Sequence, residues 1–244
     1  MIDIHCHILP GMDDGAQNVS EAKSMLATQR ASGVESLYLT PHFYPAEKSL
    51  ETFLAERESA WEALCAALAP EEKAHVRLGA EVRYSGQLLS LDLRSLTLGQ
   101  SDYLLLELPG RRYPSYTAQI MEELLGRGIT PILAHVERCV YFREEPDLLK
   151  RLVDLGTLAQ VSAQALFDRR DRNFSVACLQ HGLAQIVASD AHNETTRKPC
   201  MELMRKLPVE LQQIHGAVTS AVWDNELPPY LRSSMVKKTF FGYR

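Results

Sequence analysis

The chain has 244 residues, 45% hydrophobic and 23% charged, with a formal net charge of -5. That size and apolar content suit one α/β domain spanning residues 1–244, and the acidic balance argues against nucleic-acid binding as its main task. The first strand begins too early to leave room for a signal peptide, no apolar run approaches the ~18 residues of a membrane span, and five scattered cysteines lack CxxC spacing. A cytoplasmic setting is expected, with neither a disulfide framework nor a zinc-thiolate site.

Met1–Ile4 reads as a strand, and period-two alternation sends His5 and His7 to one side and Cys6 to the other. Asp13 and Asp14 follow a Pro10–Gly11 turn. Ser20–Ser32 is predicted as a helix with Ser20 as N-cap and Gly33 as its stop. Glu35–Thr40 alternates like a strand and leads to His42. Leu50–Leu68 is an amphipathic helix closed before Pro70, and His75–Glu81 is a strand ending on Glu81. Tyr84–Leu98 has no clean period and reads as loop with one short helix. Tyr103–Leu108 (YLLLEL) is apolar enough for a buried parallel strand, and it carries Glu107.

Thr117–Leu125 is a helix halted by Gly126 and Gly128, followed by the strand Thr130–Ala134 and His135. Pro146–Leu155 is a helix, Thr157–Val161 a strand and Phe174–His181 a helix. Ala184–Ala188 is the last core strand, presenting Ser189, Asp190 and His192. Thr196–Lys206 and Val209–Ala221 are terminal helices, and the residues around Pro228 and Pro229 form a C-terminal tail. Strand and helix alternate throughout, which predicts a parallel sheet with right-handed crossovers. About seven repeats without a dinucleotide fingerprint favour a distorted TIM-like (β/α) barrel. The C-terminal strand ends would then converge on one mouth.

His5, His7, Asp14, His42, Glu81, Glu107, His135, Asp190 and His192 all follow apolar runs, so all nine fall at that mouth. One tetrahedral ion needs only four ligands. Two or three divalent ions bridged by a carboxylate is the natural accounting, and manganese, iron, zinc or magnesium all suit an imidazole–carboxylate set. Glu107, flanked by leucines, needs compensation that a cation can supply. Clustered divalent ions lower the pKa of water and hold phosphoryl oxygens, which makes phosphate ester hydrolysis the leading chemistry. Arg138, close behind His135, can bind phosphate; a surface pair with Glu137 or Glu144 is the competing reading. A cysteine-dependent phosphatase would need Cys-x5-Arg, but the residues six beyond the five cysteines are Met12, Glu71, Glu145, Ala184 and Lys206.

Asp3 and Asp13 are expected to orient ligand histidines or cap turns. His75, His181 and His215 are expected at the surface or in packing.

The segments MIDIHCHILPGMDDG, LTPHFYP, GAEVRY, LLLELP, AHVERC and ASDAHN, in that order, resemble the polymerase-and-histidinol-phosphatase (PHP) family. They resemble above all its manganese-dependent protein-tyrosine phosphatases of bacterial capsule and exopolysaccharide loci. The resemblance implies a trinuclear centre in a distorted barrel. His5, His7, Glu81 and Asp190 would surround one ion, and Glu81 would bridge to a second held by Glu107 and His135. Asp14, His42 and His192 would hold the third. Arg138 and Arg197 would bind phosphate, with His42 or a bound water as proton donor. The implied substrate is the phosphotyrosine tail of a bacterial tyrosine kinase that controls polysaccharide export. The alternatives are a small-molecule phosphomonoesterase of the histidinol-phosphatase type, a phosphodiesterase, and a non-catalytic, metal-stabilised kinase-binding module.

Overall fold

The computed structural model describes residues 1–226 and residue 228. The elements run β1 (Ile2–Cys6), α1 (Val19–Ala31), β2 (Ser36–Leu39), β3 (His42–Phe43), α2 (Leu50–Cys65), α3 (Pro70–Lys73), β4 (Val76–Leu78) and β5 (Glu81–Arg83). They continue with β6 (Tyr103–Glu107), α4 (Thr117–Gly126), β7 (Thr130–Leu133), α5 (Val140–Glu144) and α6 (Pro146–Leu155). The last are β8 (Leu158–Ser162), α7 (Arg172–Gln180), β9 (Ile186–Ala188) and α8 (Val209–Trp223).

All described pairings are parallel, in a curled six-stranded sheet β3-β5-β6-β7-β8-β9 and a three-stranded sheet β1-β2-β4. The end of β9 returns to β1 through a Cys6–Ala191 bridge. There the His7 amide donates to the Ala191 carbonyl at 2.8 Å and the Asp190 amide to the His5 carbonyl at 2.9 Å.

Strands buried on both faces explain the near-continuous apolar runs. Leu104, Leu106, Leu133 and Val187 face an outer layer with Met25, Phe53, Met121 and Leu152 of the surrounding helices. Tyr103, Leu105, Ile132 and Ile186 face an inner layer, which Val218 and Val222 of α8 cover. The cover is also held by polar contacts: Tyr38 Oη donates to the Val222 carbonyl at 3.4 Å, and the Val187 amide donates to His215 Nδ1 at 3.2 Å. Among the described residues, no helix is long and apolar enough to cross a membrane.

Several expectations are corrected. The predicted strand His75–Glu81 is two segments, β4 and β5, interrupted at Gly79–Ala80. Gly79 passes so close to Leu98 that a Cβ there would lie 2.7 Å from Leu98 Cδ2. The second predicted strand also ends early, at Leu39, because Pro41 lacks the amide a ladder needs, and β3 resumes at His42. Helix α1 is capped by Asn18, whose side chain accepts the Glu21 amide at 3.0 Å, and not by Ser20. Residues 84–100 form three 3-10 turns, at Leu88–Ser90, Leu93–Leu96 and Leu98–Gln100. No α-helix covers Thr196–Lys206: the Asn193 side-chain oxygen gathers the amides of Thr195, Thr196 and Arg197 into a bend, leaving only a 3-10 turn at Met201–Lys206. The predicted C-terminal tail lies, apart from residues 224–226 and 228, outside the described residues.

Candidate metal centre

The nine strand-end residues come together, linked through side-chain donor atoms no more than 4.0 Å apart from one neighbour to the next. His5 Nε2 lies 3.1 Å from His7 Nε2, 3.3 Å from Glu81 Oε2 and 3.4 Å from Asp190 Oδ1. His42 and Glu81 are register partners on β3 and β5, with His42 Nδ1 2.9 Å from Glu81 Oε2. His135 Nε2 reaches Glu81 Oε1 at 2.7 Å and Glu107 Oε1 at 4.0 Å. Asp14 Oδ1 lies 3.3 Å from His192 Nε2 and 3.6 Å from His42 Nε2. Three groups converge within 4.8 Å: His5, His7 and Glu81; His42, Glu81 and Glu107; and His7, Asp14, His42 and His192.

The surrounding hydrogen bonds fix which ring nitrogens carry lone pairs. Gln160 Oε1 accepts the His135 amide at 2.8 Å, and that amide can only donate. The oxygen is therefore correctly placed, and His5 Nδ1, 3.2 Å from it, must carry a hydrogen. Asp13 accepts from His7 Nδ1 at 2.7 Å, and the Asp190 carbonyl accepts from His192 Nδ1 at 2.9 Å. In the neutral rings, the Nε2 atoms of His5, His7 and His192 then point their lone pairs into the cluster. Two lone pairs facing each other across 3.1 Å repel unless a positive charge lies between them. Such spacings are also the edges expected of a coordination polyhedron with metal–ligand bonds of ~2.1 Å.

Several donor atoms sit outside hydrogen-bond geometry. Glu107 Oε2 is buried without a hydrogen-bond partner, and His42 Nδ1, Glu81 Oε2 and His192 Nε2 lie near one another or near Asp14 without forming one. A divalent cation fits this donor set.

Electrostatics agree. Burial opposes ionisation of Glu81, but His5 and His135 beside it hold its carboxyl well below the usual range. Asp190 is likewise lowered against its burial, by His5 and then Arg138. His7 is disfavoured as a cation by burial, yet Asp13 raises it to about 10. Burial and the neighbouring His7 lower His192 to about 3. The carboxylates demand positive charge, which protons or metal ions can supply.

Backbone strain marks two of these positions. His135 (φ 32°) and Asp190 (φ 50°) adopt left-handed conformations that a side chain disfavours by ~1–2 kcal/mol. Each turn follows directly on a buried strand and aims its side chain at the cluster.

Arg138 pairs with Asp190 and not with Glu137 or Glu144. Arg197 also reaches Asp190, at 3.0 Å to each oxygen, and Asp14 at 3.3 Å. Both guanidinium groups are partly exposed at the rim. Glu107 has a protein partner that sequence reasoning missed: Arg83 Nη1 lies 2.7 Å away on the adjacent strand. Gln160 was missed too, although a lone amide in the apolar run TLAQV was the available signal. Tyr44 stacks on His42, with ring centroids 5.1 Å apart.

Asp13 behaves as expected, orienting His7 and accepting the amides of His42 and Gly15. Asp3 touches no ligand ring; it ties β1 to Ser189 and to Gln29 of α1. Cys6 is buried, His75 and His181 are exposed, and His215 is a packing residue.

An α/β fold with a curled parallel sheet, gathering imidazoles and carboxylates at its strand ends, defines a metal-site protein of the PHP type. The model of the capsular polysaccharide synthesis family CpsB/CapC matches residues 1–220, and the chain belongs to that family. It is 36% identical over 203 residues to tyrosine-protein phosphatase YwqE of Bacillus subtilis, covering 81% of this chain and 79% of that one. It is 30% identical over 222 residues to tyrosine-protein phosphatase CpsB of Streptococcus pneumoniae, covering 83% and 87%. Among solved structures it superposes on a chain from the crystal structures of those two proteins, described there as unique metal-dependent tyrosine phosphatases. That match has a TM-score of 0.80 and 30% identity, covering 93% of this chain and 95% of that one.

Proposed function

We propose that this chain is a metal-dependent phosphatase hydrolysing phosphotyrosine on protein, with the tail of a bacterial tyrosine kinase of capsule or exopolysaccharide synthesis as its substrate. The observation that carries this reading is the convergence of imidazole and carboxylate donor atoms beside two rim arginines. His5, His7, Glu81 and Asp190 would hold one ion; Glu81, Glu107 and His135 a second; Asp14, His42 and His192 a third. Mn2+ is the metal we assign, because the set contains four carboxylates and no thiolate. Bound ions would lower the pKa of water and neutralise charge on phosphoryl oxygens.

The chain's own residues supply the rest. Arg138 and Arg197 keep donors free beyond those used on Asp190, and a guanidinium fork matches two phosphoryl oxygens. A cavity of about 390 Å³ beside the cluster, lined by Met12, His42, Phe43, Tyr44 and Lys48, offers room for an aryl group. Tyrosinate, with a pKa near ~10, leaves with little need of protonation. We assign His42 as a ligand and not as the proton donor, because its ring nitrogens already face Glu81 and Asp14.

Counting β2 with β3 and β4 with β5 as interrupted strands, and β1 closing on β9, supports a distorted seven-stranded barrel. We take residues 1–244 as one cytoplasmic domain. Chelation tests the reading: metal-stripped protein should lose phosphotyrosyl-peptide hydrolysis and regain it with Mn2+. Full turnover by protein shown to be metal-free would end it.

A further inference from the structure

The loop between β6 and α4 connects Glu107 to the wall beside Arg138, and it is held at both ends. The Gly110 carbonyl accepts the Val140 amide at 2.9 Å, and a Cβ on Gly110 would lie 3.1 Å from the Arg138 carbonyl oxygen. Tyr113 packs edge-on against Tyr141 at 5.3 Å, and the Thr117 hydroxyl closes the loop on the Pro114 carbonyl at 2.8 Å. On this anchored segment Arg111 and Arg112 are exposed, and neither makes an ion pair or hydrogen bond among the described residues. Tyr116, at its end, is 69% exposed. Two unpaired arginines and an open tyrosine on a rigid loop are the residue types that anchor protein partners. They stand beside a site whose own arginines, Arg138 and Arg197, pair with Asp190 and are assigned to the phosphoryl group, which leaves the flanking residues of a peptide to other partners.

Resting on the phosphotyrosine reading, we infer that Arg111 and Arg112 are specificity residues that grip acidic groups flanking the phosphotyrosine in the peptide. Gly110 brings the loop against the Arg138 backbone, so Arg111 and Arg112 follow within two residues of that contact, beside the path of a peptide whose phosphate meets Arg138. Carboxylates and a second phosphate share the required chemistry, a pair of anionic oxygens taken by the guanidinium fork.

The test uses the full-length, Mn2+-loaded protein and Arg111→Ala/Arg112→Ala, with Arg111→Glu/Arg112→Glu as a stronger variant. Three phosphotyrosyl peptides are compared: one with neutral neighbours, one with Asp and Glu neighbours, and one with a second phosphotyrosine. The wild type should prefer the acidic peptides on the order of 10-fold in kcat/KM. The double alanine variant should lose that preference through KM, and the charge reversal should invert it. Turnover of p-nitrophenyl phosphate should be unchanged in both. A preference for the doubly phosphorylated peptide alone would identify phosphate as the ligand, and an equal preference for both would show that carboxylates suffice. Fluorescence anisotropy with the same peptides reads the discrimination independently of turnover, so a chain without phosphatase activity still tests the loop. An acidic-to-neutral ratio equal in wild type and variants overturns the inference.

Discussion

Gln160 holds the inner half of the cluster although it adds no donor atom to it. Its Oε1 accepts both the His135 amide and His5 Nδ1–H, while its Nε2 is buried without a partner. Gln160→Leu would strand two buried donors at ~1–3 kcal/mol each, so the metal-free protein should lose about 2–6 kcal/mol of stability. It would also release the His5 tautomer, letting the proton move to Nε2 and turn a donor hydrogen toward the cation. Losses of this kind weaken metal affinity ~10–100-fold. Gln160→Glu keeps an oxygen for both bonds but adds a buried negative charge, which the neighbouring cation would offset, so it should retain metal affinity while the stripped protein loses stability. Competition against a fluorescent chelator reads the Mn2+ Kd, and urea melts of stripped protein read the stability. A wild-type Kd in Gln160→Leu would refute the tautomer argument.

Arg138→Ala should cost about 2–4 kcal/mol in kcat/KM on a phosphotyrosyl peptide at unchanged metal content, and near-normal turnover would leave Arg197 as the phosphate-binding group. Glu107→Gln should lower metal content by elemental analysis while changing stability by no more than ~1 kcal/mol, because its pair with Arg83 is partly exposed. Full occupancy in that variant would remove Glu107 from the ligand set. Burial lowers the pKa of His215 to about 4 from 6.5, so the unfolded chain takes up the proton first. Stability is then complete above ~6.5 and falls as pH drops toward 4, by about 3 kcal/mol for a group this enclosed. His215→Gln should flatten that slope in pH-dependent urea melts; identical slopes would contradict it.

The cluster was legible because a His, Asp or Glu at the end of an apolar strand is conspicuous: Glu107 ends β6, and His5 and Asp190 lie within two residues of the ends of β1 and β9. The alternation of strands and helices carried the parallel sheet in the same way. Gln160 and Arg83 escaped notice because a single amide or cation in a strand implies nothing until its neighbour across the sheet is known. The interruptions at Pro41 and Gly79 lie within runs whose apolar character does not change, so periodicity passes over them. Asn193 defeated the helix prediction over Thr196–Lys206 by a local side-chain competition that apolar spacing does not register.

The closure of β9 onto β1 also sets an order of events during synthesis. His5 and His7 leave the ribosome well before Asp190 and His192, which join them beside the Cys6–Ala191 bridge. Loop closure across most of the chain must precede the complete site, and contacts of such sequence separation form slowly. A chain stalled before residue 190 would carry seven of the nine clustered side chains and lack Asp190 and His192. The full donor set is thereby assembled late, only once the strand that carries Asp190 and His192 has docked on the one that carries His5 and His7.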